Sequence, residues 1–308
     1  MPASVNNTIS VADYNAIRSI AASVMGVGSA SRGYGQPLNS IAKTQNQLVS
    51  QTDWDNVRFD LLNARIHQNG SGALTEINEN QTISATGINL FESLRTTIDN
   101  NRFNVALGQF LTVNPVSTVS RAYSGTVWRS EISTILTVTF TDSNRARFFF
   151  NSGGTIGIES TRIDGSRTDN QNIAWRNLIR DFGGLREFGG NIPARNFYNL
   201  TSTFQEYYSA SASSPYGSNR YVLEASCNVA NNSSGTANIV YLRVRFIDGY
   251  TDPDNGRPIL FAPDDGVDGT FTVTASEKRA EAIGGLLPNS GNFVIQRPTY
   301  SIASITGT

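Results

Sequence analysis

Apolar positions recur at helical spacing twice in the N-terminal part of the chain. Ser10 precedes "VADYNAIRSIAASVM", with Asp13 three positions on, the pattern of a capping box. Tyr14, Ile17, Ile20, Ala21 and Val24 then fall on one helical face, and Gly26 and Gly28 end the run. A second helix is predicted from Thr52, "TDWDNVRFDLLNARIHQ", with Trp54, Val57, Leu61, Leu62 and Ile66 on a face and Asn69-Gly70 as its stop. Two helices of this size form a hairpin that does not bury both apolar faces alone, so it needs a core or copies of itself. Between them "GVGSASRGYGQPLNS" reads as a glycine-rich connector, or as a loop wrapped over a neighbouring subunit.

Residues 71–118 are mixed, with a short helix predicted in "SATGINLFESLRTTIDNNRF". From residue 119 the period changes to two. "ISTILTVTFTD" alternates around Leu136, Val138 and Phe140, Asp142-Ser143-Asn144 reads as a turn, and "RARFFFN" reads as the returning strand of a hairpin. Three consecutive phenylalanines do not suit a one-sided strand. They predict a strand covered on both faces, with Phe149 on one side and Phe148 and Phe150 on the other. One set would fill a core, and the opposite set would meet the helix "NIAWRNLIRDF" (172–182) or another chain. "TIGIES", "YVLEASCNV", "NIVYLRVRFID", "GTFTVTASEKRA" and "NFVIQRPTYSIASI" supply further strands. The expected fold class is mainly β with α additions: an N-terminal helical hairpin (1–70), a mixed connector (71–118) and an antiparallel β-sandwich body (119–308) with one short inserted helix.

Composition narrows the function. Charged residues make up 16% of the 308, against about 25% in an ordinary soluble domain. The net charge of -1 gives no general pull toward nucleic acid or an anionic membrane. The 22 arginines against two lysines, Lys43 and Lys278, fit a surface built for protein contacts, and G+C-rich codon usage accounts for them equally well. A lone Cys227 excludes an intrachain disulfide. No secretory leader and no apolar run long enough to span a membrane is visible, which points to folding in a cytosol.

Candidate chemistry is sparse. His67, the single histidine, ends a helix, and no nucleophile-base-acid set can be assembled around it, so the chain is read as non-enzymatic and free of cofactors. "GVGSASRGYG" lacks the preceding strand and the Gly-Lys-Ser/Thr of a phosphate loop. Asp248, Asp252, Asp254, Asn255, Asp264, Asp265 and Asp268 offer hard oxygen ligands for calcium, although the same residues are ordinary turn formers. Phe197, Tyr198, Phe204, Tyr207, Tyr208, Tyr216 and Tyr221, in a serine-rich setting, offer ring faces to a glycan, although packing on the sandwich or on another protein is the favoured reading.

Taken in order, "VADYNAIRSIAASVMGVGSASRGYGQ", "TDWDNVRFDLLNARIHQNG", "ARFFFNSGGTIGIESTR" with "NIAWRNLI", and "YTDPDNG…DDGVDGTFTVTASEKRA" resemble virion structural proteins of tailed phages that infect cyanobacteria and other marine bacteria. The resemblance implies a non-enzymatic, multicopy, tail-fibre-like protein located in the virion, and release by lysis would remove the need for a leader. Its partners would be other virion proteins and further copies of itself, with a trimer preferred by analogy with fibres. Tyr14, Ile17, Trp54, Val57, Leu61, Phe148, Phe150 and Trp175 are the expected assembly residues. Two other readings are a receptor-binding module for a host surface glycan and a capsid or neck decoration protein.

Overall fold

A computed structural model describes residues 10–74, 85–192, 195–250, 266–281 and 293–307. Each N-terminal helix starts where a side chain satisfies its orphan amides. Ser10 and Asp13 close a capping box on α1 (Val11–Met25), and Ser50 and Asp53 close another on α2 (Gln51–Asn69), one residue ahead of the expected start. Gly70, at φ 78°, ends α2 in the left-handed conformation. Helix α3 (Ala85–Asn100) packs on both, so three helices share this layer. Trp54 joins them, edge-on to Tyr14 at 5.4 Å and to Phe91 at 5.6 Å.

The remainder is two antiparallel sheets, and the chain is mainly β with α additions. One sheet orders β1 (Phe110–Trp128), β8 (Val267–Ala280), β3 (Thr155–Ile163) and β4 (Arg186–Gly189). In the other, β2 (Glu131–Thr139) is followed by β7 (Ile239–Ile247), β6 (Arg220–Cys227) and β5 (Gln205–Ser211), and the short β9 (Thr299–Ile302) and β10 (Thr306–Gly307) pair along the free side of β2. Period-two burial holds along β2 and β7, which pair Ile132 with Phe246, Leu136 with Leu242 and Val138 with Val240. The sheets meet through rings: Phe246 of β7 lies 5.0 Å from Phe271 of β8. Glu131, Glu224, Arg243 and Arg245 make a charged ladder on the other face of β2, β6 and β7, with Arg243 Nε 2.5 Å from Glu224 and Arg245 Nη2 2.6 Å from Glu131.

Two helices close the space between the sheets at opposite ends of β7. Helix α5 (Asn170–Phe182) inserts Trp175 beside Trp128, at 5.0 Å, and against Phe246 and Phe271. At the other end lies α4 (Ser143–Asn151), and here the structure corrects the sequence reading. Residues 145–151 are not the second strand of a hairpin; "RARFFFN" is helical. Asp142 is an N-cap whose carboxylate accepts from the Arg145 amide, so the Asp-Ser-Asn turn signal was a helix start. Gly153, at φ 84°, turns the chain out of the helix. Residues 146–151 are all buried, because α4 is covered around its whole circumference. A short apolar run in a covered strand and one in a covered helix look alike in sequence. Asp142→Ala is expected to cost about 1 kcal/mol, read as a lowered urea midpoint; an unchanged midpoint would show that the cap does not matter to α4.

Candidate functional site

All eight expected assembly residues lie inside this one chain. Tyr14, Ile17, Val57, Leu61, Phe150 and Trp175 are fully buried, and the most exposed of the eight, Phe148, retains 7% of its surface. Tyr14 also donates its hydroxyl to the Ile41 carbonyl, and burial pushes that hydroxyl's pKa up to about 12. The apolar stripes were therefore read correctly as faces needing cover and incorrectly as faces left for a partner: the same chain supplies the cover, with Phe91 of α3 on Trp54, Ile41 at Tyr14, Gly35 under Phe148, and Trp128, Phe246 and Phe271 of the sheets around Trp175. The 26–40 segment wraps over α4 of its own chain, where Arg147 donates to the carbonyls of Val27, Ala30 and Arg32.

His67 is a core residue. Its ring stacks on Phe293 at 4.3 Å and its Nε2 donates to the Ser152 carbonyl at 3.0 Å. Burial pushes its pKa down to about 4, with the Ser152 bond opposing in part. The unfolded chain thus takes up a proton near pH 6.5 that the folded chain refuses until about pH 4. Stability from this source is fully present above pH 6.5 and is lost as pH falls to about 4, by up to about 3 kcal/mol. Urea melts of the wild type and His67→Gln across that window check it: the variant should lose this part of the slope, and equal slopes would refute the assignment. Cys227 is buried as well, its thiol donating to the Val229 carbonyl, and burial raises its pKa.

Of the acidic cluster, Asp252, Asp254, Asn255, Asp264 and Asp265 lie outside the described residues. Asp248 and Asp268 are buried against the start of α5. Asp248 accepts from the Gln171 amide at 2.7 Å, and Asp268 accepts from the Ser166 hydroxyl and the Arg167 amide, with the Arg162 guanidinium 3.9 Å away. No group of three or more acidic, histidine or cysteine side chains suited to a metal occurs among the described residues. Glu277, whose side chain is wholly buried, gathers Arg279 Nε at 2.9 Å, Arg297 Nε at 3.2 Å and the Tyr300 hydroxyl at 2.7 Å. That hydroxyl's pKa is raised by burial and by Glu277.

The aromatic residues of 197–221 divide clearly. Phe197 and Tyr221 are fully buried, and Tyr221 shares a hydrogen bond with Ser160. Tyr198 donates to the Ala30 carbonyl, Tyr208 lies under the Arg186 guanidinium, and Phe204 lies under that of Arg243. Burial raises the pKa of Tyr207. Tyr216 lines a groove of about 210 Å³ between α5 and the 211–216 segment. Asn177 and Phe182 line its α5 side, and Ser213 and Pro215 its other wall. Phe182, the last residue of α5, is 39% exposed. Nothing in the sequence marked Asn177, which needed the position of the 211–216 turn to become a wall.

Comparison with protein-family models, with curated proteins and with solved structures finds no match to this chain. Among the described residues no helix is long and apolar enough to cross a membrane.

Proposed function

We propose that the chain is a non-catalytic structural component of a tailed-phage virion, tail- or fibre-associated, acting through protein–protein assembly. One observation carries the non-catalytic part: the side chains most suited to proton or group transfer serve as internal fasteners. His67 ties α2 to the turn after α4, Glu277 ties β8 to Arg297 and Tyr300, and Cys227 packs in β6. The virion part is supported by the resemblance of the ordered motifs, from "VADYNAIRSIAASVM" to "GTFTVTASEKRA". Since the buried stripes are spent within the chain, assembly falls to exposed apolar side chains of the helical layer. Val27, Ile41 and Leu48 are the strongest candidates, at 61%, 72% and 85% exposure.

The test is direct. Purified particles of the phage that encodes the chain should contain it in multiple copies by mass spectrometry. The isolated protein should sediment as an oligomer, a trimer by preference, that Leu48→Asp weakens. Absence from particles together with strict monomer behaviour would end this reading. Tracing the chain in an electron-microscopy map of the particle would separate a tail position from a neck or capsid decoration.

A further inference from the structure

We propose that the groove between α5 and the 211–216 segment binds one neutral pyranose ring of a carbohydrate. The inference stands apart from the virion reading, because it rests on the groove alone.

Size sets the first limit. At about 210 Å³ the groove lies below the roughly 300–1,000 Å³ of pockets for drug-sized ligands, so it takes a ring with its substituents and leaves a longer chain outside. Its lining sets the second. Ile173, Pro215 and Phe182 offer apolar surface, and Tyr216 adds a ring with a polar tip. Around them, the side chains of Asn170, Asn177 and Ser213 make no hydrogen bond to any described residue. Amides and hydroxyls both donate and accept. That is the demand of a sugar, whose vicinal hydroxyls do both while its C–H face needs apolar contact.

Charge decides between sugar classes and against other ligands. Among the described lining residues there is no lysine or arginine, so phosphate, sulfate and uronate groups find no cation there. The one carboxylate on the rim, Asp181, is paired with Arg180 at 2.7 Å, which occupies that guanidinium, and an anionic sugar would have to compete with Asp181 for it. A neutral hexose or N-acetylhexosamine avoids both penalties.

The walls are held before any ligand arrives, which limits the ordering cost of binding. Helix α5 is capped by Asp169, which accepts from the Asn172 amide, and pinned by buried Trp175, Leu178 and Ile179. Opposite, Tyr216 N–H bonds the Ser213 carbonyl, and the Tyr216 ring rests 4.6 Å from Tyr250. Fully buried Asn219 fixes the base of the turn by accepting from the amides of Gly249 and Tyr250.

Saturation-transfer NMR and titration with the methyl glycosides of glucose, galactose, mannose and N-acetylglucosamine test this on the full chain. At least one should bind with a Kd on the order of 1 mM, the strength expected of a single ring. Methyl glucuronide should bind at least about tenfold more weakly than its glucose counterpart, an effect of roughly 1.4 kcal/mol. Asn177→Ala, a change on a helix surface that should leave folding intact, and Tyr216→Ala should each weaken binding about tenfold at unchanged melting temperature. If Tyr216→Ala unfolds, Asn177→Ala alone decides. No binding by any of the four glycosides overturns the proposal, and so does binding that Asn177→Ala leaves unchanged. Either failure leaves the particle and sedimentation results untouched.

Discussion

Phe150→Ala is expected to destabilise the fold by about 3–5 kcal/mol, read as a large fall in the urea midpoint at an unchanged slope. Phe150 is fully buried and stacks on Phe197 at 4.5 Å. Edges or faces of Phe149, Phe140 and Phe188 surround it at 5.1, 5.7 and 5.9 Å. Those neighbours come from α4 itself, the end of β2, β4 and the turn at 197–199, so collapse around a missing ring would have to move four elements. The cavity term should therefore lie toward the upper part of the range. A second measurement separates helix from strand. In a strand, Phe148 and Phe150 share a face and Phe149 opposes them. In α4, Phe149 and Phe150 touch, while Phe148 packs over Gly35 of the glycine-rich segment. A double-mutant cycle should give about 0.5–1.5 kcal/mol of coupling between Phe149 and Phe150 and near-additivity between Phe148 and Phe150. The reverse pattern would restore the strand.

The same triplet shows what was legible in sequence. Full cover on all sides was readable from three adjacent phenylalanines, and it is what the structure has. The element type was not, because Asp142-Ser143-Asn144 serves equally as a turn and as an N-cap, and the run is too short for its period to decide. Helix α1 was legible because a Ser-x-x-Asp box and a glycine stop mark its ends locally, and α2 because of its apolar face and the Asn69-Gly70 stop, while its own box at Ser50 and Asp53 went unread. Strands β2 and β7 were legible because one face is covered and the other carries Glu131, Arg243 and Arg245. What covers a stripe is a non-local fact. Nothing near Trp54 announces that Phe91 of α3 will meet it. The groove at α5 was half legible: Tyr216 came from composition, but its distinction from the fully buried Tyr221, only five positions further along the chain, came only from the fold.

Arg147 should prove the polar counterpart of Phe150. Removing its guanidinium, as in Arg147→Met, is expected to cost about 3–5 kcal/mol, because several buried acceptors lose their donor at once. Its Nε donates to the Ala30 carbonyl at 3.1 Å, its Nη2 to those of Val27 and Arg32 at 3.0 and 2.8 Å, and its Nη1 to Asn144 Oδ1 at 2.8 Å. Asn151, one turn further along α4, donates to the carbonyls of Ala30 and Gly33. These carbonyls point inward because the segment passes through left-handed conformations, at Gly33 with φ 104° and at Ala30 with φ 45°. Ala30 adopts a conformation few non-glycine residues take, and two donors on its carbonyl, from Arg147 and Asn151, hold it there, beside the Tyr198 hydroxyl that it shares with Asn151 Oδ1. Lysine places its donors around a single nitrogen and does not span the same acceptors, so Arg147→Lys should recover less than half of the loss. The damage should also be local before it is global. The amides of Tyr34, Gly35 and Gln36 bond back to Val24, Gly26 and Met25, and their hydrogen exchange should accelerate in Arg147→Lys ahead of amides in β2 and β7. Wild-type exchange across residues 34–36, together with a midpoint shift of less than about 0.5 kcal/mol in Arg147→Met, would mean that the segment is held by something other than this fork.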